Sequence, residues 1–347
     1  MDLQNWSWLL RCPVCRGRLS FEPVRCVCDD CGETFPVNFG FPDFRLSCPS
    51  DAGYMTKEED LSVSDELFRL HDELSFEELA RIKIREESGN LDQNIQDHYI
   101  KWRTDNRARA MQLVEWIKDQ GISGPDSENR TVGLDIGCGS GCGVATLLEV
   151  ADTAVGFGLA ISDLLLARKF LEESYPDRDY LLLTGIGEQM ALASDSFSYV
   201  LARDVIEHVA DPQEVLKETH RVMRSGGFLL FNTGSRFVFL EPHTRLPAVG
   251  YIPRFLHSLY FRLGRKIDFK VHLPSLWELR RWLKQSLFDD SNWEIFPSKS
   301  VESTIQPRVK DGKGKRLILG LLNRLGISKV MNWILAQISY YEVIIKK

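Results

Sequence analysis

Leu134-Asp135-Ile136-Gly137-Cys138-Gly139-Ser140-Gly141 is the stretch on which the fold turns. An apolar run ends on an acid and then breaks into three glycines at alternate positions, the composition of a strand that stops in a tight turn and opens a helix. Glycines there let backbone approach a ligand closely and bring N–H groups at the helix N-terminus toward it. The spacing is G-x-G-x-G, not the G-x-G-x-x-G of dinucleotide folds, and by itself it also suits a plain strand-to-helix corner. Outward from it, apolar runs at 131–136, 153–157, 180–183, 197–201 and 228–231 alternate with stretches long enough for crossover helices. That rhythm predicts an α/β fold with a parallel, doubly wound sheet. Ligands of such sheets sit at the carboxyl ends of the strands, beside the switch in strand order.

Cysteines organise the N-terminal residues. Cys12-Pro13-Val14-Cys15 and Cys28-Asp29-Asp30-Cys31 are two C-x2-C pairs, each followed by a glycine (Gly17, Gly32) that lets the chain turn back under a metal. Four thiolates on two such turns make a closed tetrahedral site, which predicts structural Zn(2+) on Cys12, Cys15, Cys28 and Cys31. A redox pair is the alternative, but it needs only one C-x2-C in a thioredoxin-like setting. Cys26 competes with Cys28 as a ligand, although Cys28 gives the standard spacing to Cys31. Cys48 falls beyond the ribbon and is expected to be a plain thiol. The stretch from Leu10 through Phe35-Pro36-Val37 to Gly40-Phe41-Pro42-Asp43-Phe44 resembles the small zinc-ribbon proteins that activate methyltransferases or are fused to them.

The 347 residues are enough for about two domains. With 44% hydrophobic and 27% charged residues the composition is that of a soluble globular protein, which excludes collagen, disorder and a disulfide-dense mini-protein. No apolar run reaches the roughly 18–20 residues of a membrane span. The start, Met1-Asp2-Leu3, lacks the basic residues of a secretion signal, so a reducing cytoplasm is expected, with the eight cysteines as metal ligands or buried thiols. The net charge of −6 hides an asymmetry: residues 1–223 carry 22 Lys and Arg against 40 Asp and Glu, and residues 224–347 carry 21 against 9. The basic third either neutralises acidic surface elsewhere or offers a face to an anionic substrate or membrane.

Three regions follow: a zinc ribbon at 1–46, an acidic helical linker at 47–95, and the α/β domain at 96–347 with C-terminal insertions at 234–275 and 312–337. The linker carries Lys57-Glu58-Glu59-Asp60 and Glu77-Glu78, predicts one or two amphipathic helices, and is assigned no chemistry. Over 99–118, Ala108, Met111, Val114 and Ile117 repeat at helical spacing and predict one helix. Tyr99 and Trp102 at its start are core aromatics or pocket lining.

The glycine turn is followed by Gly187-Glu188 before the fourth strand and by Arg203-Asp204-Val205-Ile206-Glu207-His208-Val209 after it. Val222-Met223-Arg224-Ser225-Gly226-Gly227 then leads into the fifth. In that order these segments resemble the class I S-adenosylmethionine-dependent methyltransferases, particularly those related to quinone biosynthesis, over about residues 95–235. The resemblance implies a Rossmann-like sheet of seven strands, six parallel and one antiparallel. It places the cofactor over Gly137, Cys138, Gly139 and Gly141, with Asp135 holding the loop and the cofactor's amino acid end. Gly158, Glu188 and Arg203 complete the cofactor-binding set. Relatives end the second strand with an acid for the ribose hydroxyls, where Gly158 stands here, and carry an Asp near the adenine where Ile186 stands. Ser162 and Glu188 are the polar groups that could substitute. A relative that keeps the fold without the reaction is the alternative.

Glu207 and His208 beside the loop suit acid/base work on an acceptor hydroxyl; capping or sheet-edge hydrogen bonds are the bland alternative. Asp204, Glu207 and His208 could also hold a divalent metal. Insertions after the fifth strand roof the acceptor pocket in this fold, which makes His243 and Arg245 candidates for recognising a small or lipid-linked acceptor. Phe255, Leu256, Leu259, Tyr260 and Leu263 form an apolar stripe beside Arg254, Arg262, Arg265 and Lys266, and 315–337 holds a second. Either the stripes pack inward or they lie on an anionic membrane, at the inner face where lipid-linked intermediates are built. Residues 339–347 read as the antiparallel strand, with 293–296 as its neighbour. RNA is the weaker partner, because the acidic ribbon and linker would repel phosphates.

Overall fold

Two cysteine turns and a four-stranded antiparallel sheet build the ribbon: β1 (Leu19–Phe21), β2 (Arg25–Cys28), β3 (Thr34–Asn38) and β4 (Phe41–Pro42), in that order. The computed structural model describes residues 3–46, 56–88, 93–122, 130–238, 246–265, 272–288, 292–297 and 340–347. Cys48, His243, Arg245 and the stripe at 315–337 lie outside them. At the second turn Gly32 takes the left-handed conformation expected of it, but at the first that role falls to Arg16, φ 67°. Gly17 is needed there for space, since a Cβ would collide with the Asp30 carboxylate.

Four helices follow: α1 (Lys57–Leu70), α2 (Phe76–Ser88), α3 (Gln93–Thr104) and α4 (Asn106–Asp119). A capping box starts α1, in which the Thr56 hydroxyl accepts from the Glu59 N–H and the Glu59 carboxylate accepts from the Thr56 N–H. The single helix predicted over 99–118 is two. Asn106 is drawn inward at the break, where its side-chain amide donates to the Ser140 carbonyl at 2.8 Å. The buried face of α4 is therefore Asn106, Ala110, Val114 and Ile117, while Met111 is exposed. Tyr99 and Trp102 are exposed as well, with the Arg109 guanidinium 3.9 Å from the Trp102 ring centroid.

The main sheet takes its parallel strands from β5 (Val132–Ile136), β6 (Thr153–Gly158), β7 (Tyr180–Thr184), β8 (Phe197–Arg203), β9 (Met223–Thr233) and β10 (Trp293–Pro297), and its one antiparallel strand from β11 (Tyr341–Lys346). The order is β10-β11-β9-β8-β5-β6-β7. Every residue of β5 and β6 is buried, as parallel strands covered on both faces require. The crossovers are α5 (Cys142–Val150), α6 (Ile161–Ser174) and α7 (Pro212–Val222); α8 (His257–Arg265) and α9 (Leu276–Gln285) belong to the C-terminal part. The order reverses between β5 and β8, which puts the switch point above the glycine turn. Among the described residues no helix is long and apolar enough to cross a membrane.

The ribbon is built into this sheet. The Arg11 N–H donates to the Ala191 carbonyl at 3.0 Å, the Ala193 N–H to Leu9 at 2.8 Å, and the Phe44 N–H to Thr184 at the end of β7 at 2.9 Å. Trp6, Leu9, Leu10, Phe35 and Phe44 share one apolar core with Leu181, Leu183, Met190 and Leu192. Beside them Arg45 is buried and donates to both oxygens of Asp43 at 2.8 Å, to Asp60 at 3.1 Å and to the Leu159 carbonyl at 3.0 Å. Within the segment expected to be a linker, Asp60 of α1 caps α6. It accepts from the Ile161 N–H at 2.9 Å, the Ser162 N–H at 3.1 Å and the Ser162 hydroxyl at 2.7 Å, where the N-cap residue Ala160 has no side chain to do so.

Candidate active site and metal centre

Gly137, Gly139 and Gly141 all have positive φ, 71°, 47° and 93°. At Gly137 a Cβ would collide with Val205, so the turn after β8 lies directly on the glycine loop. Nothing lies within 4 Å of a Cβ built on Gly139, which leaves the loop with an open cradle above it. Asp135 points behind the loop rather than into the cradle: a Cβ on Gly143 would meet its carboxylate at 2.5 Å, and it accepts from the Val144 N–H at the start of α5. Burial pushes its pKa up to about 7 against that hydrogen bond and the charge of Arg203. Cys138 is buried under the loop, its thiol pushed well up by burial. Asn106 grips the loop from above through Ser140, and among the described residues its buried Oδ1 accepts from no donor. An open cradle and an unsatisfied acceptor beside the loop fit a ligand carrying its own donors, as S-adenosylmethionine does.

The remaining expected residues divide. Glu207 is fully buried in the turn that Val205 presses onto the loop, and its carbonyl accepts from the His272 N–H at 2.8 Å; the His208 N–H closes the turn onto Val205 at 2.9 Å. Asp204 is held by Asn232 in a reciprocal pair, 2.8 and 3.0 Å. It does not join Glu207 and His208 in a metal site: among the described residues the four cysteines are the only such cluster. Glu188 accepts from the Ala210 and Asp211 N–H groups through Oε1 at 3.0 and 3.1 Å and so anchors the turn. Arg203 is turned to Glu342 of β11, at 2.9 and 3.3 Å. Gly158 ends β6 with no side chain, and a Cβ there would stand 3.1 Å from Leu164 and 3.4 Å from Cys138. Ser162, a candidate substitute for the missing acid, is engaged with Asp60.

Sequence reasoning missed a small basic cavity of ≈ 20 Å³ in the 234–275 insertion. Arg236, Arg254 and His257 stand around an apolar lining of Val249, Phe261 and Leu273. Arg254 pairs with Glu278 at 2.9 Å. Burial, and after it Arg236 and Arg254, push the His257 pKa down. Leu273 follows the His272 that bonds Glu207, which connects this cavity to the turn beside the loop. Only the distribution of Arg and His along 236–257 could have signalled it.

At the ribbon, the sulfurs of Cys12, Cys15, Cys28 and Cys31 lie within 4.8 Å of one another. Cys12 and Cys31 are 3.8 Å apart and Cys15 and Cys28 are 3.4 Å apart. A tetrahedron with metal–sulfur bonds of about 2.3 Å has edges of about 3.8 Å, so the four thiols fit zinc as they stand. Cys26 is outside the cluster; burial pushes its pKa up to about 12, as for a core thiol.

Residues 134–231 match the family model described as a methyltransferase domain. The ubiquinone biosynthesis O-methyltransferase of Ruegeria pomeroyi is 35% identical over 122 residues, which cover 35% of this chain and 48% of that protein. The enzyme of the same name from Thiobacillus denitrificans is 33% identical over 103 residues, 30% of this chain and 44% of that one. The chain thus spans about half the length of the curated relatives it matches. Among solved structures, phosphoethanolamine N-methyltransferase 2 of Haemonchus contortus in complex with S-adenosyl-L-methionine has 18% identity and a TM-score of 0.44, covering 68% of this chain and 52% of that one. An S-adenosylmethionine-dependent methyltransferase of Mesorhizobium loti has 19% identity and a TM-score of 0.42, covering 67% and 98%.

Proposed function

We propose that the chain carries a class I methyltransferase domain and transfers a methyl group from S-adenosylmethionine to a hydroxyl or carbon of a small or lipid-linked acceptor. The observation that carries this is the cradle over Gly139 at the switch point, inside the segment that matches the domain model. When bound, the cofactor supplies a methyl group on an activated sulfonium. The chain's own part is chiefly placement. Asp135 and Asn106 hold the glycine loop from two sides, and Glu207 or His208 takes the proton of an acceptor hydroxyl from the turn beside it. The insertion after β9 receives the acceptor's polar end. The ubiquinone enzymes support the O-methyl reading, and Arg236 and Arg254 suit an anionic group.

We further propose that the four cysteines hold one structural zinc, and that the protein works in the cytoplasm at the inner membrane face. The outward stripe of α8 and the turn before it supports the latter: Phe255, Leu259 and Leu263 are 82%, 55% and 77% exposed, beside Arg254 and Arg262, while Phe261 and Tyr260 pack inward.

Calorimetric titration tests the enzyme reading. Wild-type protein should bind S-adenosylmethionine and S-adenosylhomocysteine one to one. Gly139→Val should keep the fold and lose binding, because its side chain fills the cradle and a β-branched residue disfavours positive φ. A second reading, a binding or scaffold protein without the reaction, is favoured by Gly158 and Ile186 in place of two acids. Undetectable binding of the wild type at millimolar cofactor would select it.

A further inference from the structure

Near the glycine loop stands a carboxylate that the motif does not announce. Asp163 lies in the first turn of α6, four residues before Ala167, and so on the same helix face. Ala167 is the residue a Cβ on Gly141 would touch, at 3.2 Å, which places Asp163 one turn above the glycine loop. The next residue, Leu164, is the one a Cβ on Gly158 would meet. Asp163 therefore stands between the loop and the end of β6 where the acid is missing. From above, Arg103 donates to its Oδ1 at 2.5 Å, and Arg103 is one turn before the Asn106 that grips Ser140. Lys83, fully buried, donates to the same oxygen at 2.7 Å. Oδ2 accepts no hydrogen bond among the described residues, and the side chain is 24% exposed. Burial alone would raise the pKa of this carboxyl; Lys83 and then Arg103 outweigh it and hold the group ionised well below the ordinary range. The charge is felt at the Cys138 thiol under the loop.

We propose that Asp163 receives the ribose hydroxyls of the cofactor, through Oδ2, in place of the acid absent at Gly158. Two cations on Oδ1 fix the carboxylate and leave the other oxygen as an ionised acceptor at the edge of the cradle. The other carboxylate beside the end of β6, Asp60, has both oxygens taken by the Ile161 and Ser162 donors and by Arg45. This inference rests on the cofactor reading above.

Calorimetry with three ligands separates the two. The probes are S-adenosylhomocysteine, 5′-methylthioadenosine, which keeps the ribose and lacks the amino acid, and the 2′,3′-dideoxy form of methylthioadenosine. In Asp163→Asn the first two should weaken together by about ten-fold or more, the range of hydrogen bonds to a charged group, while the dideoxy ligand changes less than about two-fold. Lys83→Met with Asp163→Asn should show the same pattern without a lone buried ammonium, and Gly158→Asp in that background should restore much of the ribose-dependent affinity. Equal losses for all three ligands would overturn the proposal by making Asp163 only an anchor for α2 and α3. A loss for S-adenosylhomocysteine alone would overturn it too, placing the carboxylate on the amino acid end. If the wild type binds none of the three, the cofactor reading itself fails and takes this inference with it.

Discussion

Asp135 shows how much a residue's place in a motif leaves unspecified. Its position before the glycines marked it as a holder of the loop, and it does bind the start of α5. What a linear motif does not carry is its burial, which raises the folded pKa to about 7. The unfolded value is about 4, so the folded state prefers the protonated acid. Its contribution to stability is fully present below about pH 4 and is lost as pH rises through about 7, at up to about 1.4 kcal/mol per pH unit. Asp135→Asn should flatten the fall in stability between about pH 4 and pH 7 measured by urea unfolding; equal slopes in the two proteins would remove Asp135 as its cause. The protein partners of Glu188 and Arg203 were hidden for a related reason. Both are polar groups at strand or loop ends near the site, but their partners, the Ala210 and Asp211 amides and Glu342, come from segments whose approach only the tertiary fold decides.

At the scale of elements, periodicity succeeded where both sides of a segment are buried. The runs at 153–157 and 180–183 became β6 and β7 within a residue, because a parallel strand needs an unbroken apolar stretch. It failed where a polar side chain set the geometry. Asn106, inside an apparently continuous helix, divides α3 from α4 by reaching for Ser140. The stripe on α8 was legible as amphipathic but not in direction, since spacing alone does not say which side is inside. With Phe255, Leu259 and Leu263 turned outward, the membrane reading predicts binding to anionic and not to neutral vesicles, weakened by salt. Replacing Phe255 and Leu263 by Glu should lower co-sedimentation at least several-fold. Binding that is unchanged in that variant, or absent from both vesicle types at low salt, would reassign the face.

For the molecule as a whole, the four-cysteine cluster was legible from spacing, and the ribbon's place was not. C-x2-C pairs are local, whereas the contacts of Leu9, Arg11, Phe44 and Arg45 reach residues between 159 and 193. Because ribbon and sheet share one core, Cys28→Ser should release the zinc and also lower the melting temperature of the whole chain, through Arg45 and Asp60 at the head of α6. Metal analysis with calorimetric melting checks both. Zinc retained in this variant would remove Cys28 as a ligand, and an unchanged melting temperature would make the ribbon an independent unit. The docking also sets an order of events during synthesis. Arg16 donates to the carbonyl of Met190, 174 residues further along the chain. At the usual 5–20 residues per second, on the order of ten to thirty seconds separate the two. Throughout that interval the ribbon has none of its apolar partners from the sheet, and the zinc proposed on its four cysteines is what can keep it in shape until the surface it belongs to has been made.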